Sequence, residues 1–262
     1  MLIQRLVSSA VLIPLVLWLS YLGGPWFAAL VAVFTLLAGY EFYHIMRRGG
    51  YQPSYVSGLA LIAIMLFDAF RPGYATCRWA AALAVALPMV WDVLKNDNRG
   101  FLLNWALMVT GAFYVGGLFS HLISLRNLPQ GLNWLMLTFA AIWTCDSAAY
   151  LVGTRWGKRP FFAHISPKKT WEGAIAGLVA GSLATVIAGY AMGLPVWQGL
   201  TLGALLVLGG TFGDLSESLV KRQVGVKDSS ALIPGHGGML DRIDSMLFAG
   251  VIMYYFALWV IH

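Results

Sequence analysis

Acidic residues are scarce in this chain, 11 among 262 residues, and most of those in its second half fall near lysines and arginines. In Gly213-Asp214-Leu215-Ser216-Glu217-Ser218, helical spacing puts Asp214 and Ser218 one turn apart on one face. Glu217 and Lys221 are likewise four apart. Asp241 and Asp244 are three apart and share a face, with Ser245 beside Asp241. Between these groups runs Lys227-Asp228-Ser-Ser-Ala-Leu-Ile-Pro-Gly-His236-Gly237-Gly238, whose glycines let backbone N–H groups come close to an anion. Carboxylates from two helices among many Lys and Arg suit a divalent metal and phosphates. Mg²⁺ is the natural choice, since it uses one or two carboxylates together with substrate phosphates. Ordinary acid–base pairing competes with that reading. It serves equally well for Asp244 with Arg242 and for Glu172 with Lys168 or Lys169. It is weaker for Asp214 and Asp241, which have no basic residue on their own helical turn. Glu41 and Asp92 are further acids that would support such a site, whereas Asp68 reads as solvated.

Other chemistries lack their residues. Gly153-Thr-Arg-Trp-Gly-Lys158 is one residue short of a P-loop, and there is neither H-E-x-x-H nor G-x-S-x-G. Cys77 and Cys145 lie inside apolar runs without metal-site or disulfide spacing, and read as packing residues.

The elements that must carry these residues are apolar. Hydrophobic residues make up 59% of the chain and charged residues 11%, against about 25% charged in a soluble domain. Runs near the 20 or so residues that cross a bilayer predict an all-α polytopic bundle. Nine spans are expected: 6–22, 26–46, 55–70, 79–94, 101–125, 132–152, 171–192, 196–220 and 241–261. The first reads as a retained helix rather than a cleaved signal. Two longer polar connections are expected at 153–170 and 221–240. With the N-terminus in the cytosol and the C-terminus outside, 14 of the 17 Lys and Arg fall on the inner side, as the positive-inside rule requires. The net charge of +6 is then topology and attraction to anionic headgroups, and needs no nucleic acid. The same topology gathers Asp146, Glu172, Asp214, Glu217, Asp241 and Asp244 near the cytosolic face. A transporter would hold its acids near the midplane instead. The rows Gly173-Gly177-Gly181 and Gly199-Gly203 predict close helix packing in lipid, within or between subunits, so a homodimer stays open. Residues 1–130 are expected to form a helical scaffold with lipid or dimer contacts, and 131–262 the catalytic region.

The stretch from Ser218 to Asp244, SLVKRQVGVKDSSALIPGHGGMLDRID, closely resembles the signature of the phosphatidate cytidylyltransferases, or CDP-diacylglycerol synthases, of bacterial type. Cys145 to Tyr150 (CDSAAY), Ser166 to Gly173 (SPKKTWEG) and Gly213 to Ser218 (GDLSES) look like segments of the same family. The first half is similar in hydropathy and length only. The resemblance implies transfer of CMP from CTP to phosphatidate in phospholipid biosynthesis, with Mg²⁺ and room for a second cation, in a bacterial inner membrane with the site facing the cytosol. On that expectation Asp214 and Asp241 hold metal, with Asp146 a third ligand. Lys168, Lys169, Lys221, Arg222, Lys227 and Arg242 meet phosphates, together with Ser218. His236, Gly237 and Gly238 hold the leaving pyrophosphate, while Asp228, Asp244, Glu172 and Glu217 orient the basic groups.

Overall fold

The structure, a computed structural model, describes residues 2–95, 100–230, 232 and 237–261. The helices, in chain order, are α1 (Leu2–Leu22), α2 (Gly24–Arg48), α3 (Tyr55–Phe70), α4 (Ala75–Lys95), α5 (Phe101–Gly111), a π turn (Ala112–Gly117), α6 (Leu118–Asn127), α7 (Gly131–Trp156), α8 (Trp171–Ala191), α9 (Val196–Gln223) and α10 (Leu240–Ile261). Seven of the helical stretches are long and apolar enough to cross a membrane; Ala10–Leu22 and Tyr55–Phe70 are shorter apolar helices. The fold is a polytopic helical membrane bundle. The fifth expected span is one apolar stretch, Phe101–Asn127, interrupted by the π turn. The turn shifts the hydrogen-bond register without changing hydropathy.

Helix ends follow local chemistry. Ser54 caps α3 by accepting from Ser57 N, and Thr170 caps α8 by accepting from Gly173 N. The last carbonyls of α1 receive the Arg126 side chain: Nε donates to Ser20 O at 2.8 Å and Nη2 to Tyr21 O at 3.1 Å. Helix α7 runs four residues past its expected end, to Trp156, which leaves residues 157–170 as the polar connection.

The chain forms two compact units. The first comprises Met1–Asn127 with Lys221–Ile243. Tyr43 is fully buried in this unit and donates to Met108 O at 2.8 Å, just ahead of the π turn. Gly58 and Gly111 each leave the space its ring occupies.

The second unit comprises Leu128–Val220 with Asp244–His262. Here the glycine rows do what their spacing predicts. A Cβ on Gly173 would stand 2.7 Å from Ala149 O, one on Gly177 3.0 Å from Cys145 Sγ, and one on Gly181 2.9 Å from Ala141 O, so α8 lies directly on the α7 backbone. Gly203 and Gly199 meet the Ser182 and Val186 Cα atoms of α8 at 2.6 and 3.0 Å in the same way. The bulky residues of α8, Ile175, Val179, Leu183 and Ile187, are all more than half exposed on its other side. Cys77 and Cys145 are buried free thiols.

Candidate active site

In the second unit the site begins with the connection 157–170. An antiparallel bridge joins Pro160 to Thr170, Phe161 N donates to Lys169 O at 2.8 Å, and Trp171 N to Arg159 O at 2.9 Å. The Glu172 carboxylate, in the first turn of α8, accepts from Lys158 N at 3.1 Å and Arg159 N at 3.2 Å. Glu172 thus closes the loop through its backbone; it does not take the pairing with Lys168 or Lys169 that its sequence neighbourhood suggests. Phe161 and Ile165 are the loop's apolar plug, buried in a cluster with Leu215 of α9 and Ala174 of α8. With the loop held on α9 by that plug, Lys169 reaches the residue before Leu215: its Nζ is 2.6 Å from Asp214 Oδ2. Ser218, one turn on, donates to Asp214 Oδ1 at 3.4 Å. The pair is partly open, with side-chain exposures of 27% for Lys169 and 32% for Asp214. Gly213 lets α10 approach, since a Cβ there would lie 2.5 Å from Asp244 O. Asp244 Oδ1 accepts from Ser245 N at 2.6 Å. Lys168 and Asp146 are exposed and Glu217 is buried.

In the first unit the centre is Asp241. Lys221 Nζ donates to its Oδ1 at 2.5 Å, and both side chains are only 9% exposed. Its Oδ2 accepts from Ser229 N (3.2 Å), Ser229 Oγ (2.9 Å) and Gly238 N (2.8 Å). The carboxylate therefore reaches back three residues to the chain entering α10, in the manner of a capping box. Gly237 has φ +81°, and a Cβ on it would stand 2.7 Å from Asp241 Oδ2, so this close approach requires glycine. Gly238 is as strictly constrained: a Cβ there would run into Ser229 Oγ and the Glu41 carboxylate. Arg222 is exposed and donates to Val226 O at 3.2 Å; Lys227, Asp228 and Arg242 are exposed as well. His236 lies outside the described residues.

Two findings were not legible from spacing. Asp214 and Asp241, with no basic residue three or four positions away on their own helix, are nonetheless ion-paired, each by a lysine from another element. Further, Glu41 of α2 is 3% exposed and accepts from Ser229 Oγ, Ser230 Oγ, Met239 N and Leu240 N. The sequence marks it as an acid that would support the site, the one acid in an apolar helix, but gives no sign of these partners, which its burial demands.

The donor chemistry fits a hard divalent cation, since Asp214 and Asp241 offer carboxylate oxygens held beside cationic groups they already stabilise. Among the described residues no three His, Cys, Asp or Glu side chains form a ready-made metal cage. Mg²⁺ does not ask for such a cage, because it retains water and draws on substrate phosphates.

Comparison with known proteins identifies the family. A model described as the cytidylyltransferase family matches residues 3–260. The chain is 32% identical to the phosphatidate cytidylyltransferase of Synechocystis sp. over 97% of its own length and 95% of that protein's. It is 34% identical to the enzyme of that name from Mycobacterium bovis, covering 89% and 79% of the two chains. With phosphatidate cytidylyltransferase 5, chloroplastic, of Arabidopsis thaliana it shares 34% identity over 90% and 67%. The chain belongs to the cytidylyltransferase family, together with these bacterial and chloroplast enzymes, and is itself a membrane nucleotidyltransferase.

Proposed function

We propose that this enzyme transfers CMP from CTP to phosphatidate, giving CDP-diacylglycerol and pyrophosphate for phospholipid biosynthesis. The observation that carries the reading is the pair of lysine–carboxylate contacts, Lys169–Asp214 and Lys221–Asp241. They lie in the stretches that resemble the family's signature segments, in a chain that matches relatives of that activity along nearly its whole length. A triphosphate and a lipid phosphate are polyanions, and lysines already held by carboxylates are groups they can recruit.

In the proposed reaction a phosphate oxygen of phosphatidate attacks the α-phosphorus of CTP in line. The new P–O bond forms as the bond to the bridging oxygen of the departing pyrophosphate breaks. The nucleophile is already an anion, so no Ser/His/Asp relay is needed, and the protein's task is positioning and charge neutralisation. Lys169 and Lys221 turn from their carboxylates to phosphate oxygens. Lys168, Arg222, Lys227 and Arg242 add positive charge, Ser218 steadies Asp214, and Gly237, Gly238 and His236 receive pyrophosphate. Asp228, Asp244, Glu172 and Glu217 orient the basic groups or the segments that carry them. Asp214 and Asp241 are the residues assigned to Mg²⁺, with Asp146 a further ligand and room for a second cation. When bound, the ion neutralises charge on the triphosphate and the attacking phosphate. The site is assigned to the cytosolic face of a bacterial inner membrane, where CTP is dissolved and the lipid enters from the leaflet. Membrane lipids surround the helices, and a homodimer is compatible with the reading.

The test is turnover of α-³²P-labelled CTP by the detergent-purified protein with phosphatidate and Mg²⁺. Label in the organic phase, only when phosphatidate is present, is expected. Label confined to the aqueous phase with folded protein would overturn the reading in favour of CTP-dependent lipid phosphorylation or transport.

A further inference from the structure

Glu41 lies in the half of the chain expected to be scaffold, where the sequence marks it as an acid that would support the site, and its carboxylate is taken up by the loop that carries Asp241. Oε1 accepts from Ser230 Oγ at 2.6 Å and Met239 N at 3.0 Å. Oε2 accepts from Ser229 Oγ at 3.0 Å and Leu240 N at 2.8 Å. Each oxygen thus holds one backbone amide and one serine hydroxyl within reach, so the carboxylate is committed to the loop. Its four donors come from the two short segments that also hold Asp241: Ser229, through N and Oγ, and the chain at Gly238, through N, all on Oδ2. With Oδ2 secured in this way, Oδ1 is turned to Lys221. A negative charge at the start of α10 also suits the helix dipole.

We propose that Glu41 is a positioning residue for the reaction assigned above. It clamps Ser229–Ser230 and Met239–Leu240, so that Asp241 is presented with one oxygen held by the protein and the other directed to a cation. The inference rests on the proposed cytidylyltransferase reading, and concerns a residue from the half of the chain that lacks the signature. A Ser229 hydroxyl has one proton to give, so it serves Glu41 or Asp241 at any instant. The backbone amides of Met239 and Leu240 have no such choice, and they are what the Glu41 charge fixes.

The experiment compares Glu41→Gln, Ser230→Ala and Thr35→Ala in the full-length protein. Thr35 is buried in the same helix and donates to Val31 O at 2.5 Å, away from the loop. In Glu41→Gln an amide NH₂ must face backbone donors. The expected result is a fall in kcat of about 10–100-fold, a rise of about tenfold in the Mg²⁺ needed for half-maximal rate, and an unchanged KM for phosphatidate. Hydrogen exchange, measured without substrate or Mg²⁺, is expected to quicken in the peptide covering 228–243 and not elsewhere. Ser230→Ala removes one donor and should move each readout in the same direction by a few-fold. Thr35→Ala should lower the melting temperature and leave the Mg²⁺ requirement alone. Wild-type Mg²⁺ dependence and loop exchange in Glu41→Gln would overturn the proposal, as would equal shifts in Glu41→Gln and Thr35→Ala. If Glu41→Gln fails to fold, Ser230→Ala decides: no change in its Mg²⁺ requirement is the overturning result. If the wild-type protein makes no CDP-lipid, the reaction assignment fails, while the exchange measurement still decides whether Glu41 clamps the loop.

Discussion

Lys221 and Lys169 form ion pairs of the same chemistry in different surroundings, and neutralising each should have different consequences for stability. Lys221→Met keeps the length of the side chain and removes its charge. Lys221 and Asp241 are both 9% exposed, so the variant leaves a buried carboxylate without its cation, a change that costs about 3–5 kcal/mol. Asp241 retains the donors Ser229 N, Ser229 Oγ and Gly238 N, which puts the loss at the lower end, about 3 kcal/mol. At about 2–4 °C per kcal/mol for a chain near this size, the melting temperature should fall by about 6–12 °C. Lys169→Met breaks a pair exposed by 27% and 32%, worth about 0–1 kcal/mol, and should melt within about 4 °C of wild type while losing most of its turnover. The assay is thermal unfolding of both purified variants in one detergent beside wild type, with the double variant Lys221→Met/Asp241→Asn included. Removing the stranded charge as well should recover part of the lost stability. A Lys221→Met protein as stable as Lys169→Met, or a double variant less stable than Lys221→Met, would refute the reasoning.

Asp214→Asn and Asp241→Asn should each abolish formation of organic-phase label and weaken the dependence on Mg²⁺, with membrane insertion unaltered by fractionation; normal turnover in either would remove that residue from the metal assignment. Gly238→Ala forces a methyl group against Ser229 and Glu41 and should destabilise by about 1–3 kcal/mol, with turnover falling further than stability, read by melting and rate together. Glu172→Ala releases the amides of Lys158 and Arg159, so limited trypsin digestion should cut after Lys158, Lys168 and Lys169 several-fold faster, while cleavage elsewhere keeps its rate.

The helices were legible because bilayer spans are written as long apolar runs, and the best-read ones have local punctuation. Trp171–Ala191 starts on the Thr170 cap and ends just before Gly193, and both ends are visible in sequence. The π turn was not legible, since Ala112–Gly117 is as apolar as the segments around it. Membership of the site was carried by the signature residues, but their partners were not. Asp214 meets a lysine from the 157–170 loop and Asp241 a lysine 20 residues away, and same-helix spacing is blind to both. Glu41 was legible as an acid that could support the site, but its partners were not, because the nearest in sequence lies 188 residues on and two of its four donors are backbone amides, which have no residue type.

Helix α8 carries a consequence for how such a chain tolerates change. Its glycines face protein, and Ile175, Val179, Leu183 and Ile187 face away from it, the reverse of a water-soluble core. Lipid tails solvate a branched side chain as well as a protein interior does, so polarity no longer distinguishes the two sides of the helix and volume takes its place. Replacing Gly177 by leucine would score as a gain on any hydropathy scale while wedging α7 and α8 apart. Replacing Leu183, in the outward row, by valine would pass almost unnoticed. On this surface bulk, rather than affinity for water, is the alphabet in which the helix contact is spelled.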